Sequence, residues 1–234
     1  MNRIISLLAI ALVLISCDRQ DKDCPGSIQQ TFDFTGFTKI IAGETFQVNV
    51  IKGAVFSVKA VGCAADIDDL DLEILPGGFL DLKYSHYKKN RSRMEFLITM
   101  PQLYSVNLSG AANGSVEGFQ GQTSVIRNIL SGSARCTVTG IGINSQVDLS
   151  GTSELELNGS TESLYGTISG NALLQAYGVN AIEVDISVSG IAKAYVKVIE
   201  SLFVEASGQS RVHYRGNPIN KSVVTSGNAQ VIQE

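Results

Sequence analysis

Few residues in this chain could carry chemistry: two histidines, His86 and His213, four cysteines, and a set of serines that recur beside glycine. Ser-Gly stands at 109–110, 131–132, 150–151, 169–170, 189–190, 207–208 and 226–227. A serine nucleophile needs an activating base, and neither histidine forms a nucleophile-elbow pattern with these serines. The structural reading is stronger: glycine permits a sharp, closely packed corner, and serine bonds turn backbone or its neighbour in a stack. The densest acidic run, Asp66, Asp68, Asp69, Asp71 and Glu73, invites comparison with a calcium loop. Leu70 takes a place where a ligand is needed and the required glycine does not follow. The run therefore reads as a solvated strand face with Lys83 available on the next strand, and no metal or cofactor is expected.

A cationic, aromatic stretch is the first candidate ligand surface. Tyr84, His86, Tyr87, Lys88, Lys89, Arg91 and Arg93 lie together in a chain of net charge −4. Aromatic faces stack on sugar rings and cations attract phosphates or uronates, which makes an anionic glycan or lipid headgroups the ligands to consider. The plainer reading is a solvated hairpin loop. The overall acidity gives no reason to expect a nucleic-acid partner.

The Ser-Gly series is itself the element that must position these groups. Its spacings are 22, 19, 19, 20, 18 and 19 residues, a period that belongs to a solenoid. Aligned on Ser-Gly, the residue before it is Leu108, Leu130, Leu149, Ile168, Val188, Ala206 and Thr225. Two after the Gly come Ala112, Ala134, Ser153, Ala172, Ala192, Ser210 and Ala229; four after come Gly114, Cys136, Leu155, Leu174, Ala194, Val212 and Val231. Polar residues alternate with these, the period of two that a half-buried strand requires. A second strand follows in each unit, as at 145–149, 181–188 and 201–206, after turn residues such as Gly140, Gly159, Gly178 and Gly216. The expectation is an all-β parallel β-helix with coils of about 20 residues. Neither the leucine-rich pattern nor the calcium-binding nonapeptide of a β-roll occurs.

On such a coil one outward column reads Arg135, Glu154, Leu173, Lys193, Arg211, Gln230, and the next Thr137, Glu156, Gln175, Tyr195, His213, Ile232. Glu156, Tyr195 and His213 make the second the better ligand-facing stripe, since all three hydrogen-bond sugars; ordinary surface variation explains it equally well. Many β-helices cleave polysaccharides, so a carbohydrate-active enzyme is the alternative. Hydrolysis would need two carboxylates facing each other across the substrate, and these columns mix signs instead.

Residues 1–16 carry Arg3, an apolar run from Ile4 to Ile15 and a small residue, Ser16, before Cys17. The run is too short to span a bilayer and reads as a processed signal. Leu14-Ile15-Ser16-Cys17 resembles a lipobox, the processing site at which a bacterial lipoprotein's cysteine is acylated. Acyl chains on Cys17 would hold the protein durably, each buried CH₂ contributing roughly 0.8 kcal/mol. Removing the signal takes one Arg and no acid, so the charge goes from −4 to −5. Asp18 to Asp23 form a charged tether, similar to surface-export signals of Bacteroidetes lipoproteins. Of Cys24, Cys63 and Cys136, only Cys24 with Cys63 is a pair to entertain; Cys136 falls on an inward position and reads as a small buried hydrophobe.

Residues 32–101 have the same β-rich texture without the repeat. Phe37-Thr38-Lys39-Ile40 leading into Phe46-Gln47-Val48-Asn49-Val50, the strand ending Met100-Pro101-Gln102-Leu103, and the Ser-Gly series from Leu108-Ser109-Gly110 together resemble the auto-transporter adhesin head family, or GIN domain. The resemblance covers residues 32 to about 231. It implies a right-handed β-helix and an exported, often lipid-anchored protein, and it brings no functional residues.

The organisation expected is a signal peptide over 1–16, a lipidated cysteine and charged tether over 17–31, and one β-helix domain over 32–234, irregular to 101 and regular from 102. The function expected is a non-enzymatic lipoprotein of the outer membrane, exposed at the cell surface. It would bind the membrane through its anchor and a glycan or cell-surface protein through its solenoid. A structural envelope component is a further alternative, and the oligomeric state is open.

Overall fold

The computed structural model describes Cys24 and residues 26–234. Cys17 and the residues around it lie outside the described residues. The early strands are β1 Ser27–Phe32, β2 Lys39–Ala42, β3 Gln47–Lys52, β4 Ser57–Cys63, β5 Leu70–Leu75, β6 Phe79–Tyr84 and β7 Glu95–Met100, with a helical turn, α1 Ala64–Ile67, after β4. The repeat supplies β8 Ser105–Leu108, β9 Asn113–Glu117, β10 Ile126–Leu130, β11 Arg135–Thr139, β12 Asn144–Leu149, β13 Glu154–Ile168, β14 Leu173–Val188, β15 Lys193–Ala206, β16 Arg211–Arg215, β17 Asn220–Thr225 and β18 Gln230–Gln233.

From β8 onward these strands stack in parallel coils, as the period demands. One face of the solenoid carries β8, β10, β12, the second halves of β13, β14 and β15, and β17. The opposite face carries β9, β11, the first halves of β13 to β15, β16 and β18. Gly159 and Gly178, expected in turns, lie inside the 15- and 16-residue strands β13 and β14, which run unbroken around the corner.

The other corner is the Ser-Gly ladder, and its chemistry is mostly backbone. Ala134 N donates to Ser131 O at 3.3 Å while Gly132 sits at φ 66° in the second position, a type II′ turn. Each turn then bonds the one beneath: Thr152 N to Gly132 O at 2.7 Å, Asn171 N to Gly151 O at 2.8 Å. Ser169 adds a side-chain bond to Leu149 O at 3.2 Å. Glycine is needed twice over at Gly151, for its φ of 71° and because a Cβ would come 2.6 Å from Gly132 O.

The inward columns close into one core. Ala112, Ala134, Ser153, Ala172, Ala192 and Ser210 are buried, as are Leu108, Leu130, Leu149, Ile168 and Val188. Cys136 is buried among them, and burial pushes its thiol up to about 12.

The early section follows an order the sequence does not reveal. β2 and β3 pair in parallel with β8 and β9 on one side and with β6 and β7 on the other. The first coil in the chain is therefore the second in the stack, enclosed by a later one. Beyond it, β5 pairs antiparallel with β6, and β4 with both β7 and β1, so reversed strands cover the edges at this end. Phe37, Phe46 and Phe96 fill the wider interior here. A disulfide joins Cys24 to Cys63, the pair the sequence left open.

Among the described residues the far end carries no reversed strand. Lys221 and Gln233 instead occupy the positions in register with the buried Leu202 and Tyr214. Lys221 Nζ donates to Tyr214 Oη at 2.7 Å, and Tyr214 Oη donates to Gln233 Oε1 at 3.0 Å, so a polar plug ends the apolar columns.

Candidate ligand-binding face

The cationic stretch forms the loop between β6 and β7, and much of its charge is spent within the protein. Arg91, expected on the ligand surface, is only 8% exposed in its side chain. It bonds Asp66 at 3.1 Å, Asp69 and the His86 carbonyl, and lies 3.5 Å over the Tyr84 ring. Ser92 N donates to Asp66 at 3.0 Å, and Lys88 lies 3.7 Å from Asp69. Arg91, then His86 at 2.8 Å, hold the Asp69 carboxyl down to about 2. Tyr84 is half-buried against Phe46 and its phenol is pushed up by burial. Tyr87, Lys89 and Arg93 remain as outward groups. The acidic run is likewise paired: Lys83 bridges Asp71 at 3.7 Å, Asp81 at 3.3 Å, and Glu73. Among the described residues no group of three or more His, Cys, Asp or Glu is arranged to hold a metal.

The second candidate stripe is assembled as the period requires. Glu156, Gln175, Tyr195 and His213 stand in register on β13, β14, β15 and β16, all on the outer surface of one face. With strands about 4.8 Å apart the four rungs span about 14 Å. Tyr195 stacks on His213, centroids 5.0 Å apart at 20°, and meets Tyr177 edge-on at 5.5 Å. Arg215 lies 3.9 Å over Tyr177, and His213 Nδ1 donates to Glu234 at 2.9 Å.

Tyr177, Arg215 and Glu234 were not singled out from the sequence, although the signal was there. They stand seven residues after Gly170, Gly208 and Gly227, the next outward column along the same strands. Burial and the Glu234 carboxylate push the Tyr177 phenol up to about 12. Tyr177, His213 and Arg215 hold the Glu234 carboxyl below its usual range.

A shallow depression of about 330 Å³ adjoins the ladder, lined by Glu154, Glu156, Asn158, Gln175, Tyr177 and Gly178. Gly178 leaves the room that Asn158 fills, since a Cβ there would meet Asn158 Oδ1 at 2.0 Å. Glu154 and Glu156 lie two apart on one strand and face the same way; Arg135 lies 3.5 Å from Glu154, and Asn158 donates to Glu156 at 3.1 Å. This pair does not face across a cleft, as glycoside hydrolysis requires.

The family model described as "Putative auto-transporter adhesin, head GIN domain" matches residues 36–218, more than three quarters of the chain. The chain belongs to this family. Its fold is similar to the crystal structure of a "putative adhesin" from Bacteroides fragilis at TM-score 0.73 and 19% identity, covering 90% of this chain and 98% of that one. A second "putative adhesin", from Parabacteroides distasonis, gives TM-score 0.66 at 15% identity over 91% and 98% of the two chains. A protein from the same species described as a "putative lipid binding protein" gives 0.61 at 14% over 90% and 97%. No curated protein matches. These likenesses establish a β-solenoid fold shared with the three solved structures. Among the described residues no helix is long and apolar enough to cross a membrane.

Proposed function

We propose that the protein is a non-enzymatic lipoprotein of the outer membrane, anchored through Cys17, that holds a glycan against the Glu156, Gln175, Tyr195 and His213 column at the cell surface. The observation that carries this reading is the aromatic ladder on a largely polar strand face. Tyr195 and His213 present rings at a spacing fixed by the sheet, with amide and carboxylate groups of Gln175 and Glu156 on the next rungs to bond sugar hydroxyls. The adhesin naming of the family supports a surface role, and the Cys24 to Cys63 disulfide fits an oxidising, exported environment. The basic loop contributes less, because Arg91 serves as its internal pin.

Protease shaving of intact cells expressing wild type or Cys17→Ala tests the anchor. Membrane-bound wild type lost on shaving, with the mutant released, is the expected result. Wild type that resists protease on accessible cells would refute surface exposure. A glycan array probed with wild type and Tyr195→Ala tests the ligand. Signals that persist unchanged in Tyr195→Ala would remove the ladder from the proposal.

A further inference from the structure

Glu234 occupies the last rung beside the ladder, and its carboxylate is the focus of several donors. His213 Nδ1 donates to Oε1 at 2.9 Å and Arg215 Nη2 to Oε2 at 3.2 Å. The buried Tyr177 hydroxyl lies beside the same carboxylate without a hydrogen bond of regular geometry, under the Arg215 guanidinium. Groups from β14 and β16 thus converge on one acid, with the Tyr195 ring between them. A guanidinium with further N–H and O–H donors is how proteins recognise a planar carboxylate, and here flat aromatic rings adjoin it. The Glu234 side chain is 34% exposed, so solvent and ligand reach it.

We infer that Tyr177, His213 and Arg215 form a carboxylate subsite for a uronic acid residue of a glycan, and that Glu234 is the internal occupant which such a glycan displaces. The inference rests on the glycan-binding reading above. The neighbouring rungs narrow the ligand class. Glu156 and Glu154 lie on β13, one rung from Tyr177 and three from His213 and Arg215, and would repel a second acid, while Gln175 and Asn158 suit neutral hydroxyls. A chain alternating uronate with neutral sugar fits this order of groups; a polyanionic peptide does not.

The test is calorimetric titration of the detergent-solubilised mature chain with three probes: a hyaluronan tetrasaccharide, neutral chitotetraose, and tetraglutamate. Glu234→Gln should bind the hyaluronan probe about fivefold more tightly than wild type, since a partly exposed ion pair competes by up to about that factor. Its affinity for chitotetraose should stay the same. Arg215→Ala should lose the preference for the acidic probe, and Arg215→Lys, which keeps the charge without the fork, should lose most of it. An unchanged thermal midpoint in Arg215→Lys shows that folding is not what was measured. Equal hyaluronan affinity in wild type and Glu234→Gln would overturn the subsite, as would tetraglutamate binding as well as the sugar. Chitotetraose bound as tightly as hyaluronan would overturn the subsite and leave glycan binding standing. Silence from both oligosaccharides in every variant would overturn both.

Discussion

Substituting alanine at two glycines of similar positive φ weighs the cost of conformation against the cost of contact. Gly151, in the middle of the ladder, has φ 71°, and a Cβ there would sit 2.6 Å from Gly132 O and 3.0 Å from Gly132 N. Gly121 has φ 74° and nothing within 4 Å of the same added atom. Both variants place an L side chain at a positive φ, Gly151 in the second position of its turn and Gly121 in the third of Phe119–Gln122, at roughly 1–2 kcal/mol each. Gly151→Ala must also force two stacked turns apart. That weakens the 2.7 Å bond from Thr152 N to Gly132 O. A net hydrogen bond is worth about 1 kcal/mol, and overpacking costs typically about 1–3 kcal/mol. The expected losses are about 1–2 kcal/mol for Gly121→Ala and about 3–6 kcal/mol for Gly151→Ala, read from urea unfolding monitored by far-UV circular dichroism. Equal losses would refute the reasoning: the stack would then accommodate a carbon atom freely, and the premise of a rigid face would fail with it.

Acid unfolding should carry the signature of Asp69. Its folded pKa is depressed from an ordinary value of 3.8 to about 2, so its stabilisation is complete above the ordinary value and is lost as pH falls through about 2. Wild type should lose stability across that window and Asp69→Asn should not show the same slope. Replacing Cys24 and Cys63 by Ser opens a loop of sequence separation 39 and should cost about 3–4 kcal/mol in the same urea assay; no loss would mean the cap holds without its covalent tie. Lys221→Leu removes the inward cation from the terminal coil and should produce concentration-dependent association in sedimentation velocity, because an inward charge is what guards an exposed sheet edge.

The legible part of this fold is the part in which one residue type recurs for one physical reason. Seven Ser-Gly pairs mark type II′ turns where no other residue fits the backbone and the contact together, so their spacing reports the coil length directly. The alternating columns then place Glu156, Tyr195 and His213 in one row, and the register of β13 to β16 is as expected. Ending that alignment at the outward column from Thr137 to Ile232 leaves Tyr177, Arg215 and Glu234 unread in the next outward column. The enclosure of β2 and β3 between later strands has no local cause, since their pairing with β6 to β9 is written in shape and burial and not in any turn. The Arg91 pin was hidden for a related reason. A run of cations looks alike in sequence whether its members face water or reach back to Asp66 and Asp69.

The two ends of the solenoid are finished differently, and this gives the ladder its place. Reversed strands and the disulfide close the end at which Cys24 enters, whereas among the described residues the end near His213 and Glu234 carries the Lys221, Tyr214 and Gln233 side-chain cluster. Along the face that carries Tyr195 and His213 the order is β7, β3, β9, β11, β13, β14, β15, β16. Seven strand spacings therefore separate the covered end from His213, about 34 Å at about 4.8 Å each. Cys24, the described residue nearest in sequence to the proposed anchor, and the aromatic rungs stand at opposite ends of a stiff column. Inward positions are fixed by packing and corner positions by backbone geometry. The outward rungs of the last coils are thus where residues are free to serve a ligand, at the height where a surface-tethered protein would meet one.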